Sequence, residues 1–109
     1  MTMNDIKSYA TVQKWIANVD RYYHLSEDEW EGRLHILEDF CYAIEQDPDA
    51  IIAEALADRA DKIDFIRRLR AFAKEQSGSR HAAHDMENVV RSFFIHNGAR
   101  VVTRPYAEG

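Results

Sequence analysis

The chain has 109 residues, of which 46% are apolar and 30% charged, so one soluble domain with a single core is expected. Its only cysteine, Cys41, excludes an internal disulfide framework and a multi-cysteine zinc site. No apolar run approaches the roughly 18 residues of a transmembrane helix, and no signal peptide is recognisable, so we expect a cytoplasmic protein without a membrane partner.

The net charge of −5 is unevenly distributed along the chain. Residues 1–66 hold six Lys or Arg against 15 Asp or Glu, whereas residues 67–109 hold eight against four. Such asymmetry indicates a charged partner bound by one face of the molecule. The alternative is that the acidic and basic helices simply pair with one another.

The first two predicted helices carry apolar stripes at helical spacing. The first runs from about Ser8 to Tyr23. The second begins at a capping box, in which Ser26 and Glu29 each satisfy a backbone amide of the other, and it ends near Gln46. Their apolar stripes comprise Val12, Trp15, Ile16 and Val19 in the first helix and Trp30, Leu34, Leu37, Cys41 and Ile44 in the second, with Phe40 beside them.

Three further helices follow in the pattern. Asp47 and Pro48 are suited to cap and open a short third helix. A turn within residues 58–61 precedes a fourth helix that stops near Gly78, and a fifth begins near Ser79 and stops at Asn97-Gly98. Their apolar residues are Ile51, Ile52, Ala55 and Leu56, then Ile63, Phe65, Ile66, Leu69, Phe72 and Ala73, then Met86, Val89, Val90, Phe93 and Phe94.

The sequence therefore predicts an all-α fold, a compact bundle of four to five helices over residues 1–98, with an extended tail or linker over 99–109. The predicted core contains the larger apolar side chains of four of these helices: Trp15, Trp30, Leu34, Leu37, Phe40, Leu69, Phe72, Val89 and Phe93.

Two polar helix faces carry the predicted function. On a helical wheel the cations of the fourth helix lie within about 60° of one another, opposite its apolar stripe, and the polar residues of the fifth lie within about 80°. Serine hydroxyls and amides at a helix start bind phosphate, and Arg and Asn suit base edges. We therefore predict one exposed DNA-binding surface made of Arg67, Arg70, Lys74, Ser79, Arg80, His81, His84, Asn88 and Arg91.

Other interpretations stay open. The basic faces are also typical of solvated helices. A helical protein–protein adaptor is the alternative function, indicated by the acidic first part, the aromatic-rich first helix and Ile95 on a polar face. His81 and His84 lack further metal ligands at a suitable spacing. Cys41 is expected to be a buried hydrophobe. We assign no catalytic residue, no metal and no cofactor.

The order of these motifs resembles a known family. A helix containing Trp15-Ile16, a Leu25-Ser26 opening, an Asp47-Pro48-Asp49 break, a Ser-Gly-Ser turn and a last helix with Arg91-Ser92-Phe93-Phe94 are similar to the N-terminal core-binding domain of tyrosine recombinases, the phage integrases. The resemblance covers residues 8–98.

This resemblance implies a SAM-like bundle that clamps one side of duplex DNA in site-specific recombination and DNA integration. A separate catalytic domain of the same protein and other recombinase protomers would be its partners. The family's catalytic set is not identifiable here, so Tyr106 is not assigned as a nucleophile and the chain is not expected to be an enzyme. The second helix departs from the family by beginning with Glu27-Asp28-Glu29, which would repel phosphate.

Overall fold

The computed structural model describes residues 1–101 and shows five α-helices, preceded by a short 3-10 helix at Ile6–Ser8. The α-helices are α1 (Ala10–Asp20), α2 (Glu27–Ile44), α3 (Pro48–Ala57), α4 (Arg59–Gln76) and α5 (Arg80–His96). No strand occurs within the described residues, and the helices form a compact bundle. The all-α prediction is confirmed. None of the helices in this part of the chain combines the length and apolar content needed to cross a membrane.

Side-chain caps fix most helix starts at the positions that the sequence predicts. Ser26 Oγ accepts from the Glu29 amide at 3.1 Å, and the Glu29 carboxylate accepts from the Ser26 amide at 3.3 Å. Asp47 accepts from the Ala50 amide at 2.8 Å, ahead of Pro48 in the first turn of α3. Each cap pairs an amide that the helix itself leaves without a partner.

The end of α1 differs from the prediction, whereas two other helix limits lie close to their predicted places. α1 ends at Asp20, and Tyr22 and Tyr23 lie exposed in the connection to α2. α3 and α4 are separated by Asp58 alone, whose carboxylate accepts from the Ala60 amide at 2.7 Å. α2 ends where Glu45 takes the left-handed conformation, with a φ of 57°. Glycine is the usual residue in that conformation at a helix end, and because glutamate stands there instead, no glycine marks the end of α2 in the sequence.

Ser26→Ala is expected to lower the free energy of unfolding by about 1 kcal/mol, because it removes half of the capping box of α2. Chemical denaturation followed by circular dichroism measures the change. Ser8→Ala is the control, since Ser8 lies in the short 3-10 helix and its hydroxyl donates only to the Asp5 carbonyl. A loss of similar size in both variants would contradict the assigned role of the cap.

The core lies between all five α-helices. Trp15 is fully buried and meets the Trp30 and Phe93 rings edge to face, with ring centroids 5.2 and 5.6 Å away. Phe40 and Phe72 join α2 to α4 in the same way. All predicted core residues are buried except Val89, which is only partly buried and packs at the edge of the core.

The end of α5 is closed by the predicted glycine. Gly98 has a φ of +88°, a conformation that side chains with a Cβ rarely adopt. The chain then stays on the bundle: Ala99 is buried, its amide donates to the Phe94 carbonyl at 3.0 Å, and Val101 packs against the core. The folded part therefore extends at least to residue 101. The rest of the predicted tail, residues 102–109, lies outside the described residues.

Candidate nucleic-acid interface

The outer face of α4 is basic, as predicted. Arg67, Arg70 and Lys74 are exposed, and Arg68 is a further exposed cation of this helix. The helix buries its opposite stripe of Phe65, Leu69, Phe72 and Ala73. Asp64 forms ion pairs with both Arg67 and Arg68, so part of this positive charge is offset locally. α4 thus presents a cationic face whose charge is reduced near Asp64.

The polar face of α5 does not match the prediction. His84 is only 8% exposed and Arg91 only 3%, and Asn88 is partly buried. The prediction that these residues join Arg70 on one exposed surface is therefore wrong. The physical reason is that α5 packs against α1, α2 and α4 at once, so that little of its circumference reaches solvent. A helical wheel assumes one buried stripe and cannot anticipate three packing partners.

Arg91 is held by an acidic residue that the predicted site did not include. Glu87, one turn earlier on α5, is buried, and its Oε1 lies 3.3 Å from a guanidinium nitrogen of Arg91. The same oxygen lies 3.8 Å from Nε of Arg70 on α4. The Glu87–Arg91 spacing of four residues is a recognisable ion-pair signal in the sequence. Its burial between two helices is not readable there.

The Ser-Gly-Ser connection brings five of the predicted residues to one groove. This serine-turn groove lies between the end of α4 and the start of α5 and includes Arg70, Lys74, Ser79, Arg80 and His84 in its lining. Ser79 caps α5 by accepting from the Ala82 amide at 3.1 Å. The start of α5 therefore forms part of the groove wall, and its helix dipole adds partial positive charge there. Such a wall is suited to an anionic ligand.

A second groove lies beside the first and shares Arg70 with it. This basic–apolar groove runs along the first half of α4 to the segment after α5, and Arg59, Lys62, Ile63, Ile66, Arg67 and Arg100 line it. Sequence analysis missed Arg59, Lys62 and Arg100. The spacing of Arg59, Ile63, Ile66 and Arg70 places them along one side of α4, which could have revealed the helical part of the groove.

The remaining two predicted residues lie elsewhere. Asn88 lines a separate groove between α1, α2 and α5, together with Tyr23, Arg33 and His96. Burial lowers the pKa of His96 below its ordinary value of 6.5, so this imidazole is neutral at neutral pH and adds no positive charge there. His81 is exposed on the first turn of α5, 4.0 Å from Asp85, and lines neither basic groove.

Cys41 is buried on the inner face of α2, as predicted. Burial raises the pKa of its thiol to about 12, with the Asp47 and Glu38 carboxylates adding to the shift. The thiol therefore stays protonated at neutral pH, which is the inert form. Among residues 1–101, no group of three or more His, Cys, Asp or Glu side chains is arranged to hold a metal ion.

Comparison of the chain with protein-family models, with curated proteins and with solved structures gives no significant match. The class of molecule that the fold defines is a small helical bundle with an acidic helix start on α2 and two basic grooves around α4.

Proposed function

We propose that this protein is a DNA-binding module of a site-specific recombinase, related to the tyrosine recombinases and acting beside a separate catalytic domain. The observation that carries the proposal is the serine-turn groove, where Arg70 and Lys74 of α4 face Ser79 and Arg80 at the start of α5. Cations, a hydroxyl and a helix start in one concave surface are the groups that bind DNA phosphates.

The distribution of charge supports this placement of the DNA. The acidic start of α2, with Glu27, Asp28 and Glu31, lines a groove beside the 3-10 helix and shares no residue with the serine-turn groove. A duplex lying along α4 and the start of α5 therefore meets cations first. α4 is 18 residues long, or about 27 Å, which matches the rise of about eight base pairs.

The roles within the surface follow from exposure. Arg70 and Lys74 act on phosphates, since both are exposed on the side of a helix that also lines the groove. Arg91 does not read bases in this proposal, because it is buried against Glu87. Arg80 and His81 replace it as the candidates for base contact, being exposed on the first turn of α5.

Replacing Arg70 and Lys74 together by alanine is expected to weaken binding to all duplex sequences alike. Each lost phosphate contact removes about 0.9 from the slope of log K against log salt, so the slope falls by about 2. Fluorescence anisotropy with a labelled duplex at several salt concentrations measures both quantities.

The matched control is Lys7→Ala with Lys14→Ala, which removes the same charge from exposed positions on the 3-10 helix and α1. The control should keep the slope of the unmodified protein. An unchanged slope in the Arg70/Lys74 variant would place the DNA elsewhere on the surface. Absence of salt-dependent binding by the unmodified protein at low ionic strength would contradict the DNA-binding proposal itself.

A protein–protein adaptor is the second candidate function, and a specific observation favours it. Tyr22, Tyr23, Leu56 and Ile63 are all more than half exposed, and Ile95 is also exposed, as its place on the polar face of α5 predicts. Exposed apolar side chains of this size are typical of contact surfaces when they cluster. Binding of a protein partner without nucleic acid, combined with no affinity for DNA, would favour the adaptor.

A further inference from the structure

The basic–apolar groove has a lining that a DNA backbone does not need. Ile63 is 56% exposed and lies in the groove beside Ile66. Leu56, 57% exposed, continues the apolar surface across a neighbouring depression that shares Arg59 and Lys62 with the groove. Phosphodiesters offer charge but no apolar surface to cover these side chains. An acidic protein segment with exposed aromatic or aliphatic side chains fits both features.

The cations of this groove differ in how far they are already neutralised. Arg67 is paired with Asp64, and Arg70 lies near Glu87. Within residues 1–101, no ion pair joins Arg59, Lys62 or Arg100 to a carboxylate. These three side chains surround the apolar part of the groove and leave its positive charge open to a ligand.

The matching chemistry occurs on the same chain, at the connection between α1 and α2. Tyr22 and Tyr23 are among the most exposed large side chains of the molecule, and the exposed carboxylates Glu27, Asp28 and Glu31 follow at the start of α2. We refer to these five residues as the acidic aromatic turn. Tyrosine rings pack on aliphatic side chains and on guanidinium groups, and the carboxylates complement Arg59, Lys62 and Arg100.

We propose that the acidic aromatic turn of one molecule docks into the basic–apolar groove of a second copy. The groove is built from α4, α5 and the segment after α5, whereas the turn belongs to α1 and α2, so the two surfaces share no residue. The contact is therefore head to tail, and each molecule keeps one free turn or one free groove in a pair. The self-association uses Arg59, Lys62 and Arg100, whereas the proposed DNA binding uses the serine-turn groove, and the two grooves share Arg70.

Because its charged groups are at the surface, the contact is weak and sensitive to salt. Sedimentation velocity of the full chain, at concentrations from about 10 to 500 µM in low salt, is expected to show an average mass that rises with concentration. Raising the salt to about 0.5 M should return the protein to the monomer, since the Debye length then falls below about 5 Å.

Two variants test the two halves separately. Arg59→Glu with Lys62→Glu reverses the charge of these two groove residues. Asp28→Lys with Glu31→Lys reverses the charge of two residues of the turn and leaves the Ser26–Glu29 capping box intact. Each variant alone is expected to stay monomeric. An equimolar mixture should regain association, because one variant keeps an intact turn and the other an intact groove.

Charge-matched controls exclude a general effect of net charge. Lys14→Glu with Lys74→Glu matches the groove variant, and Glu45→Lys with Glu75→Lys matches the turn variant, all at exposed positions outside the contact. Both controls should associate like the unmodified protein. Circular dichroism melting establishes that each variant is folded.

A monomer at every concentration and salt would overturn this proposal, as would association that survives both charge reversals or a mixture that stays monomeric. DNA affinity of the same proteins keeps the two proposals apart. The control variant Lys14→Glu with Lys74→Glu should lose DNA affinity and keep self-association, whereas the turn variant should lose self-association and keep DNA affinity.

Discussion

Glu87→Leu is expected to lower the free energy of unfolding by about 3–5 kcal/mol, the cost of removing one partner from a buried ion pair. Glu87 and Arg91 each keep only 4% of their side-chain surface exposed, and they lie 3.3 Å apart on successive turns of α5. Without the carboxylate, the Arg91 guanidinium keeps its charge but loses the group that compensates it in the core. Urea unfolding followed by circular dichroism measures the loss.

The double variant Glu87→Leu with Arg91→Met is the decisive control. Replacing both charges by apolar side chains of similar volume also removes the buried guanidinium whose carboxylate partner Glu87→Leu takes away, so the double variant should be clearly more stable than Glu87→Leu alone. Arg70 contributes little to this difference, because its side chain is 56% exposed and water solvates its guanidinium when the carboxylate is lost. A Glu87→Leu cost below about 1 kcal/mol would show that water reaches the pair.

Glu87 also explains how the core and the serine-turn groove are connected. Its carboxylate lies between Arg91 inside the bundle and Arg70 at the surface, and both Glu87 and Arg70 line the groove. The Glu87 carboxylate therefore neutralises part of the positive charge of Arg70. Lys74 lines the same groove and is in no ion pair among the described residues, which makes it the stronger of the two proposed phosphate ligands.

Most of the fold could be predicted from the sequence because local signals and apolar spacing agree. Ser26, Asp47 and Ser79 each cap the helix that they were expected to begin, and Gly98 takes the left-handed conformation expected after α5. Where the local sequence signals were weak, the observed helix end differs from the predicted one. α1 ends at Asp20, before the predicted limit at Tyr23, a place where no glycine or proline marks the change.

The site was less predictable because it depends on how the helices pack. On α4, one apolar stripe meets the core, so the opposite cations are exposed as expected. On α5, three neighbouring helices cover both the apolar stripe and the centre of the polar face, which buries His84 and Arg91. The basic–apolar groove joins α4 to Arg100, a residue 30 or more positions away, and only the tertiary fold brings them together.

Leu37→Ala is expected to lower the free energy of unfolding by about 2–5 kcal/mol. Leu37 is fully buried on the inner face of α2 and belongs to the single core cluster that joins all five helices. Truncation removes its contacts and leaves a cavity, which the other close-packed side chains of the core cluster cannot fill without leaving their own positions.

Leu56→Ala is the matched control for this substitution, because it removes the same atoms from a helix at a position 57% exposed to solvent. Its cost should stay within about 1 kcal/mol, since little apolar surface leaves the core. Thermal and urea unfolding of the two variants should be measured side by side. The difference between their losses of stability reports core packing, because both variants make the same change in helix propensity from leucine to alanine. Equal costs would mean that the inner face of α2 does not pack as the structure describes.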